Sequence, residues 1–358
     1  MATPSTPPHP QTPTSNVLTN DEKWMQVALE LARRGIGTTS PNPPVGAVIV
    51  RNNKKLSSGW HKAAGQPHAE IEALRALPPS LSAKGATLYV TLEPCSTHGR
   101  TPPCTDAIIR AGFARVVWSM DDPNPKHAGR AKQILEAAGI QTTSGILEEK
   151  TTKLLRPWKK FITEGIPWVI LKTAMSLDGR IAPKHPQKII SSAASRKDAM
   201  RIRAEVDAIL IGAETLRKDN PYLTIRGIPA AKQRPQPLRL IWTKDPKNLP
   251  SDCHVFNDPF CNRTHILTAP NFPSLLQKIA NLGVVSLLIE GGAIVAGQAI
   301  DSKLVDEFVI YIAPTLIGGP VPFSRGIGVG SSKDAIQLEQ IEYAFFGNDI
   351  RIRGLVKK

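Results

Sequence analysis

His68-Ala69-Glu70, followed by Thr91-Leu92-Glu93-Pro94-Cys95-Ser96 and then by Gly99-Arg100-Thr101-Pro102-Pro103-Cys104, is the stretch on which the reading of this chain turns. One imidazole and two thiolates can hold a zinc ion, and three protein ligands leave its fourth position open, as in catalytic rather than structural sites. Water in that position loses its proton near neutral pH and becomes a nucleophile. The pattern over 68–77 is helical, and Pro102-Pro103 stand where a helix over 104–111 begins. His68 and Cys104 are therefore expected at helix N-termini, where the dipole favours a thiolate and a metal-bound anion.

Taken singly, these residues have duller readings. A lone His before a helix is commonly a satisfied surface or core group, and a solitary Cys a small buried hydrophobe. As a set they point to a metal site with His68, Cys95 and Cys104 as ligands. Glu70, which is not a ligand, is placed to carry a proton from the attacking water to a departing amine, the division of labour in zinc-dependent base deaminases.

The 358 residues allow two domains of ordinary size, and 41% hydrophobic content fits a globular protein. No run approaches the length of a membrane span. The N-terminus has neither a basic start nor an apolar core, and the first Lys is Lys23, so neither a secretory nor an organellar leader is expected. Four cysteines are too few to staple such a chain, and a reducing, cytoplasmic compartment is the simpler expectation. The net charge of +15 suits a polyanion, but aromatic content is 5% and no basic and aromatic residues interleave as a stacking groove for nucleic acid requires. Small phosphorylated ligands fit the charge equally well.

Residues 1–18 are rich in proline and threonine without hydrophobic periodicity and are expected to be a flexible tail. Order is expected from an N-cap at Asn20, with a helix through Met25, Ala28 and Leu31 to about Gly35. Strands are expected over 45–50, 86–92 and 116–120, and helices over 69–77, 104–111 and 129–138. After a charged, amphipathic connector over 147–166, a second α/β rhythm follows. Its strands fall over 168–174, 208–212, 238–242, 284–289 and 307–313, and its helices over 193–205, 272–282 and 293–301. The implied units are 19–146 and 167–358.

Pro41-Asn42-Pro43-Pro44-Val45-Gly46-Ala47-Val48, the His68 and Cys95 to Cys104 segments, and Asp122-Pro123-Asn124-Pro125 together resemble the bifunctional pyrimidine deaminase–reductases of riboflavin biosynthesis. The second half carries the resemblance on through Lys172-Thr173-Ala174-Met175-Ser176-Leu177-Asp178-Gly179-Arg180, Thr215 with Asp219-Asn220-Pro221, Glu290-Gly291-Gly292 and Ala313-Pro314-Thr315-Leu316-Ile317-Gly318-Gly319. It implies an α/β fold class with an N-terminal cytidine-deaminase-like domain and a C-terminal dihydrofolate-reductase-like domain. The first would remove an amino group from a ribosylaminopyrimidinone 5′-phosphate at zinc, and the second would reduce the ribosyl group to ribityl with NADPH. By the same resemblance Asn42 holds the pyrimidine, while His98 and Arg100 line its entrance. The family has His where this chain has Thr97, which puts one substrate contact in question.

No G-x-G-x-x-G loop occurs, so a Rossmann domain is not expected. Glu290-Gly291-Gly292 instead follows an apolar strand and precedes a helix, where glycines let phosphates approach backbone N–H groups. The resemblance assigns Lys172, Ala174, Thr215, Asp219, Gly291, Gly292, Ala293 and Gly297 to the cofactor, and Asp178, Arg203, Leu223, Arg226 and Glu290 to the ribose phosphate. It also implies a homo-oligomer formed through the reductase half. Departures cluster here. Gln187 and Ile189 stand in a stretch that carries an aromatic in the family, and Thr243 and Lys244 replace an acidic residue and a serine. Two readings stay open: Lys244 serves the extra phosphate of NADPH, or the reductase is weak or vestigial.

Overall fold

The computed structural model describes residues 18–97, 102–124, 128–183 and 189–357. The first half consists of α1 (Asn20–Arg33), β1 (Gly46–Arg51), β2 (Lys54–Trp60), α2 (Ala69–Arg75), β3 (Thr87–Leu92), α3 (Cys104–Ala111), β4 (Arg115–Met120), α4 (Arg130–Ala137) and β5 (Gln141–Thr143). Its sheet has the order β2-β1-β3-β4-β5, with β1 antiparallel to both neighbours and β3, β4 and β5 parallel. Because strand side chains alternate, Ala47 and Ile49 meet α2, α3 and α4 on one face, while Val48 and Val50 meet Met25, Ala28 and Leu31 of α1 on the other. Burial on both faces is why these strands read as continuous apolar runs.

Two expectations need correction. Thr19, not Asn20, caps α1, in a reciprocal pair with Glu22. The hairpin strand β2 and the short β5 were not anticipated. β2 opens on Lys54 and Lys55 and lies at the sheet edge, so it lacks the apolar alternation of a buried strand. Its signal was Asn52-Asn53, both with positive φ in the turn from β1.

Helix α5 (Glu148–Glu164) follows, and then β6 (Trp168–Ser176), β7 (Arg180–Ala182), α6 (Ala193–Arg203), β8 (Ala208–Gly212), α7 (Ala213–Asp219), α8 (Ala230–Gln233), β9 (Leu238–Trp242) and α9 (His254–Asn257). The rest is β10 (Thr264–Leu267), α10 (Phe272–Ala280), β11 (Ser286–Ile289), α11 (Ala293–Asp301), β12 (Glu307–Ala313), β13 (Val321–Pro322), β14 (Leu338–Phe346) and β15 (Asp349–Val356). The large sheet has the order β10-β9-β8-β11-β6-β12-β15-β14, parallel from β10 to β12 and closed by the antiparallel pair β15 and β14. Strands β14 and β15 escaped the sequence reading because they are charged and half exposed.

Helix α5 is more than a spacer. Its Leu155 and Trp158 pack with Leu92 and Met120 of the first sheet and with Val285 of the second half. The Lys160 ammonium meets Asp306 at 2.5 Å, with side-chain exposures of only 5% and 1%, and the same carboxylate oxygen accepts the Val169 N–H at 2.8 Å. Removing one partner strands a buried charge. Lys160→Ala is expected to cost roughly 3–5 kcal/mol in the denaturation transition that unfolds this helix, and a loss below about 1 kcal/mol would show that Asp306 is satisfied without it.

Candidate active sites

The end of β3 and the starts of two helices converge in the first half. His68 is the N-cap residue of α2, Cys104 is the first residue of α3, and Cys95 follows β3. The His68 Nδ1 atom lies 3.5 Å from Cys95 Sγ and 3.3 Å from Cys104 Sγ, and all three donor atoms fall within 4.8 Å of one another. A tetrahedral zinc with bonds of about 2.0–2.3 Å sets its ligands about 3.3–3.8 Å apart, so the cage has the size and the donor chemistry for that ion. The backbone N–H of Cys104 donates to Cys95 Sγ at 3.2 Å, so one otherwise unpaired N–H at the start of α3 is spent on a sulfur.

The cage sorts its own protons. A hydrogen bond from the Cys104 thiol, with the His68 ring beside it, outweighs burial and holds the Cys95 thiol down to about 4. The bond to Cys95 pushes the His68 imidazole up to about 9, while Cys104, donating to Cys95 and buried, is pushed up. A divalent cation would displace these protons, as metal binding to such ligands requires. Glu70, in the first turn of α2 and 4% exposed, has its carboxyl pushed up by burial and then by the charge on Cys95. These surroundings favour the protonated form more than water would.

Asn42 lies on the loop between α1 and β1, with its amide Nδ2 3.1 Å from His61 Nε2. His61 Nδ1 lies 3.0 Å from the carbonyl of Pro67, which can only accept, so Nδ1 carries the proton and Nε2 accepts from Asn42. Burial pushes the His61 imidazole down, in keeping with this neutral form. The sequence reading missed His61, which has no motif of its own and is recruited by the fold. Glu93 was quoted there without a role. Its buried carboxylate accepts the N–H groups of Asp122, Gly129 and Ala131, each at 3.1 Å, and so pins the segment entering α4 to the end of β3. Thr97 is half-buried, whereas His98, Arg100 and Gln187 lie outside the described residues.

In the second half, four expected residues come together. Arg203, the last residue of α6, meets Glu290 through Nε at 3.2 Å and through a second nitrogen at 2.5 Å, and donates to the carbonyl of Thr224 at 3.0 Å. Burial opposes ionisation of Glu290, but Arg203 and Lys172, with Arg226 behind them, hold its carboxyl down to about 2. Burial pushes the Lys172 ammonium down against the pull of Glu290. Arg226 bonds Thr224 Oγ1 at 3.2 Å and lies over the Tyr222 ring, 5.0 Å from its centroid. Three cations around one carboxylate leave a surplus of positive charge suited to a phosphate.

The turn from β11 into α11 has little spare room. A side chain at Gly291 would meet Val295 at 2.9 Å and one at Gly292 would meet Thr215 Oγ1 at 3.1 Å, and this hydroxyl accepts the Gly292 N–H at 3.0 Å. Gly292 caps α11 without a side-chain acceptor, so the N–H groups of the first turn, from the buried Ala293 onward, suit an incoming anion. Ala174 is half-buried on β6 and Asp219 is exposed at the end of α7.

Three further expected residues also have structural partners. The Leu223 side chain is buried in the core from a left-handed backbone. Gly297 packs on the backbone of Arg325, where a side chain would sit 2.1 Å from its carbonyl oxygen. Asp178 accepts the N–H groups of Ile317 at 3.1 Å and Gly318 at 2.7 Å, which with the Ser176 hydroxyl hold its carboxyl down to about 2. Ile189 is 68% exposed, Thr243 closes a turn with Asp245 at the end of β9, and Lys244 is exposed.

Comparison with known proteins decides the family. The cytidine and deoxycytidylate deaminase zinc-binding region matches residues 18–120, and the RibD C-terminal domain matches residues 167–352. The riboflavin biosynthesis protein RibD of Bacillus amyloliquefaciens is 38% identical, covering 94% of this chain and 96% of its own length. The chain belongs to the RibD family. RibD of Escherichia coli K12 is 37% identical over 92% of this chain and 98% of its own. The solved RibD of Acinetobacter baumannii superposes with a TM-score of 0.87 at 35% identity, over 95% of this chain and 99% of its own. A deaminase/reductase from Thermotoga maritima superposes with a TM-score of 0.83 at 31% identity, over 94% of this chain and 99% of its own. Like other RibD proteins, the chain is a bifunctional deaminase and reductase of riboflavin biosynthesis. With both halves matched, neither a vestigial reductase nor a nucleic-acid base deaminase is favoured.

Proposed function

We propose that this RibD protein hydrolyses the 2-amino group of 2,5-diamino-6-(5-phosphoribosylamino)pyrimidin-4-one at a zinc held by His68, Cys95 and Cys104, and then reduces the ribosyl group to ribityl with NADPH. The convergence of His68, Cys95 and Cys104 around one point beside a buried Glu70 carries the first part. The Thermotoga maritima protein is named for this deaminase and for 5-amino-6-(5-phosphoribosylamino)uracil reductase, which supports the choice of substrate. Zinc, when bound, acidifies water and supplies the nucleophile. Glu70 would carry the first proton of that water to the ring nitrogen where negative charge builds, and the second, from the newly formed C–OH, to the departing amine, so that both hydrogens of the water are accounted for and ammonia leaves. One of the two Asn42 Nδ2–H donors is held by His61, which leaves the other N–H and the carbonyl oxygen to meet the pyrimidine.

In the second half NADPH supplies a hydride when bound. Thr215, Gly291, Gly292 and Ala293 form the wall on which its phosphates rest, with Lys172 and Ala174 on β6 and Asp219 on α7 as further contacts. Arg203 and Arg226 hold the ribose 5′-phosphate, and Glu290 keeps Arg203 aimed. The deaminase unit spans 19–146 and the reductase unit 167–358, joined by α5. Four free cysteines agree with a cytoplasmic setting, and no helix among the described residues is long and apolar enough to cross a membrane. Self-association through the reductase half is supported by the outer strand β14, on which Ile341, Tyr343 and Phe345 share a face at 42%, 67% and 74% exposure.

Glu70→Gln tests the deaminase reading: about one zinc per chain should be retained while kcat for deamination falls about 10²- to 10⁴-fold, and activity within about 3-fold of the parent would defeat the proton-carrier role. For the reductase, deaminated substrate and NADPH are supplied together and cofactor absorbance is followed. Arg226→Ala should raise KM for the phosphorylated substrate about 10-fold, and unchanged kinetics would remove Arg226 from the phosphate site.

A further inference from the structure

The segment that ends in Arg226 is fastened at almost every residue. The carbonyl of Tyr222 accepts from Arg239 at 3.1 Å and the carbonyl of Thr224 accepts from Arg203 at 3.0 Å. The Gln236 amide meets both backbone groups of Ile225, accepting the N–H at 2.7 Å and donating to the carbonyl at 3.3 Å. Leu223 and Ile225 bury their side chains in two different parts of the core, and Leu223 does so from φ +52°, a conformation that a residue with a side chain keeps only where its neighbours impose it. Arg226 itself is exposed. With the backbone so held, the freedom that remains is that of its own long side chain.

Two groups of the same segment take up that freedom. The guanidinium donates to Thr224 Oγ1 at 3.2 Å and lies over the Tyr222 ring, 5.0 Å from its centroid, which is within reach of a cation–π contact. The Tyr222 ring, 42% exposed, is itself supported: the His254 ring stacks on it with centroids 3.9 Å apart and planes 11° from parallel. His254 opens α9, and its N–H donates to Asn220 Oδ1 at 2.8 Å. Arg239, its side chain 1% exposed, binds the two elements together. Besides the carbonyl of Tyr222 it donates to that of Val255 at 2.8 Å, and both its terminal nitrogens pair with Asp258, at 2.6 and 2.9 Å. The stretches that carry the tyrosine and the histidine are thus tied to one buried guanidinium, and the stacked rings extend from α9 to Arg226.

We propose that Tyr222, supported by His254, is a positioning residue for the reductase: its ring orders the Arg226 guanidinium in advance, so that the arginine meets the substrate phosphate already aimed. This rests on the reading of Arg226 as a phosphate partner. A side chain ordered beforehand gives up less rotational freedom on binding, and the gain appears in capture of the phosphorylated substrate and not in the hydride step. The contact is made by the face of the ring, so phenylalanine supplies it as well.

The test uses the full-length enzyme with NADPH and 5-amino-6-(5-phosphoribosylamino)uracil, followed by cofactor absorbance. Tyr222→Leu should raise KM for this substrate about 2- to 5-fold, the range a cation–π contact supplies, with kcat and the KM for NADPH unmoved, and Tyr222→Phe should restore the parental KM. With the dephosphorylated substrate, Tyr222→Leu and the parent should have the same KM, which separates aiming of Arg226 from direct contact of the ring with sugar or base. In an Arg226→Ala background, Tyr222→Leu should add nothing, since both changes remove one interaction. A parental KM in Tyr222→Leu, an equal loss in Tyr222→Phe or with the dephosphorylated substrate, or a loss that persists without Arg226 would overturn the proposal. Arg226→Ala alone separates the two levels. If it leaves KM unchanged, Arg226 is not a phosphate partner and the inference falls with that reading, whereas a raised KM there beside an unchanged one in Tyr222→Leu overturns the role of Tyr222 alone.

Discussion

Two sulfurs and an imidazole nitrogen gathered within 4.8 Å form a cluster that the surrounding fold can hold cheaply only around a cation or a shared set of protons. The chain builds that cluster from the end of one strand and the starts of two helices, so the sheet order fixes the ligands before any ligand arrives. Parallel pairing of β3 with β4 brings Cys95 to the same edge as the segment that Glu93 pins, and α2 and α3 pack side by side over β1 and β3. The first half of the enzyme is a device for making that meeting point rigid.

Two buried glutamates show how surroundings assign roles to identical side chains. Glu70 has no cation of the protein against it strong enough to offset burial and the charge on Cys95, so its carboxyl is pushed up toward the protonated form. Glu290 is ringed by Arg203, Lys172 and Arg226 and is held ionised. Burial thus leaves one carboxyl readier to hold a proton, while the other works as a fixed charge. Between the halves, the packed α5 and the Lys160 to Asp306 pair show that the two sheets are built as one body.

The metal ligands were legible because the chemistry needs particular residue types, and the prolines before Cys104 announced the helix that presents it. Strands buried on both faces were legible as apolar runs: β8, β9 and β12 fall over the expected residues. Edge and half-exposed elements were not, since β2, β14 and β15 carry charges where burial would demand apolar residues. His61 could not be found from sequence, as its role comes from Asn42, which only the fold brings to it. Gly297, Leu223 and Asp178 stand in the motif and also have structural partners, the Arg325 backbone, the core and the loop at Gly318, of which the sequence bears no sign.

X-ray absorption at the zinc edge of the purified full-length protein tests the central claim most directly. The account predicts one zinc per chain with two sulfur neighbours at about 2.3 Å and two lighter neighbours at about 2.0–2.1 Å. A metal shell without sulfur, or protein that is active in deamination with no bound metal, would contradict it.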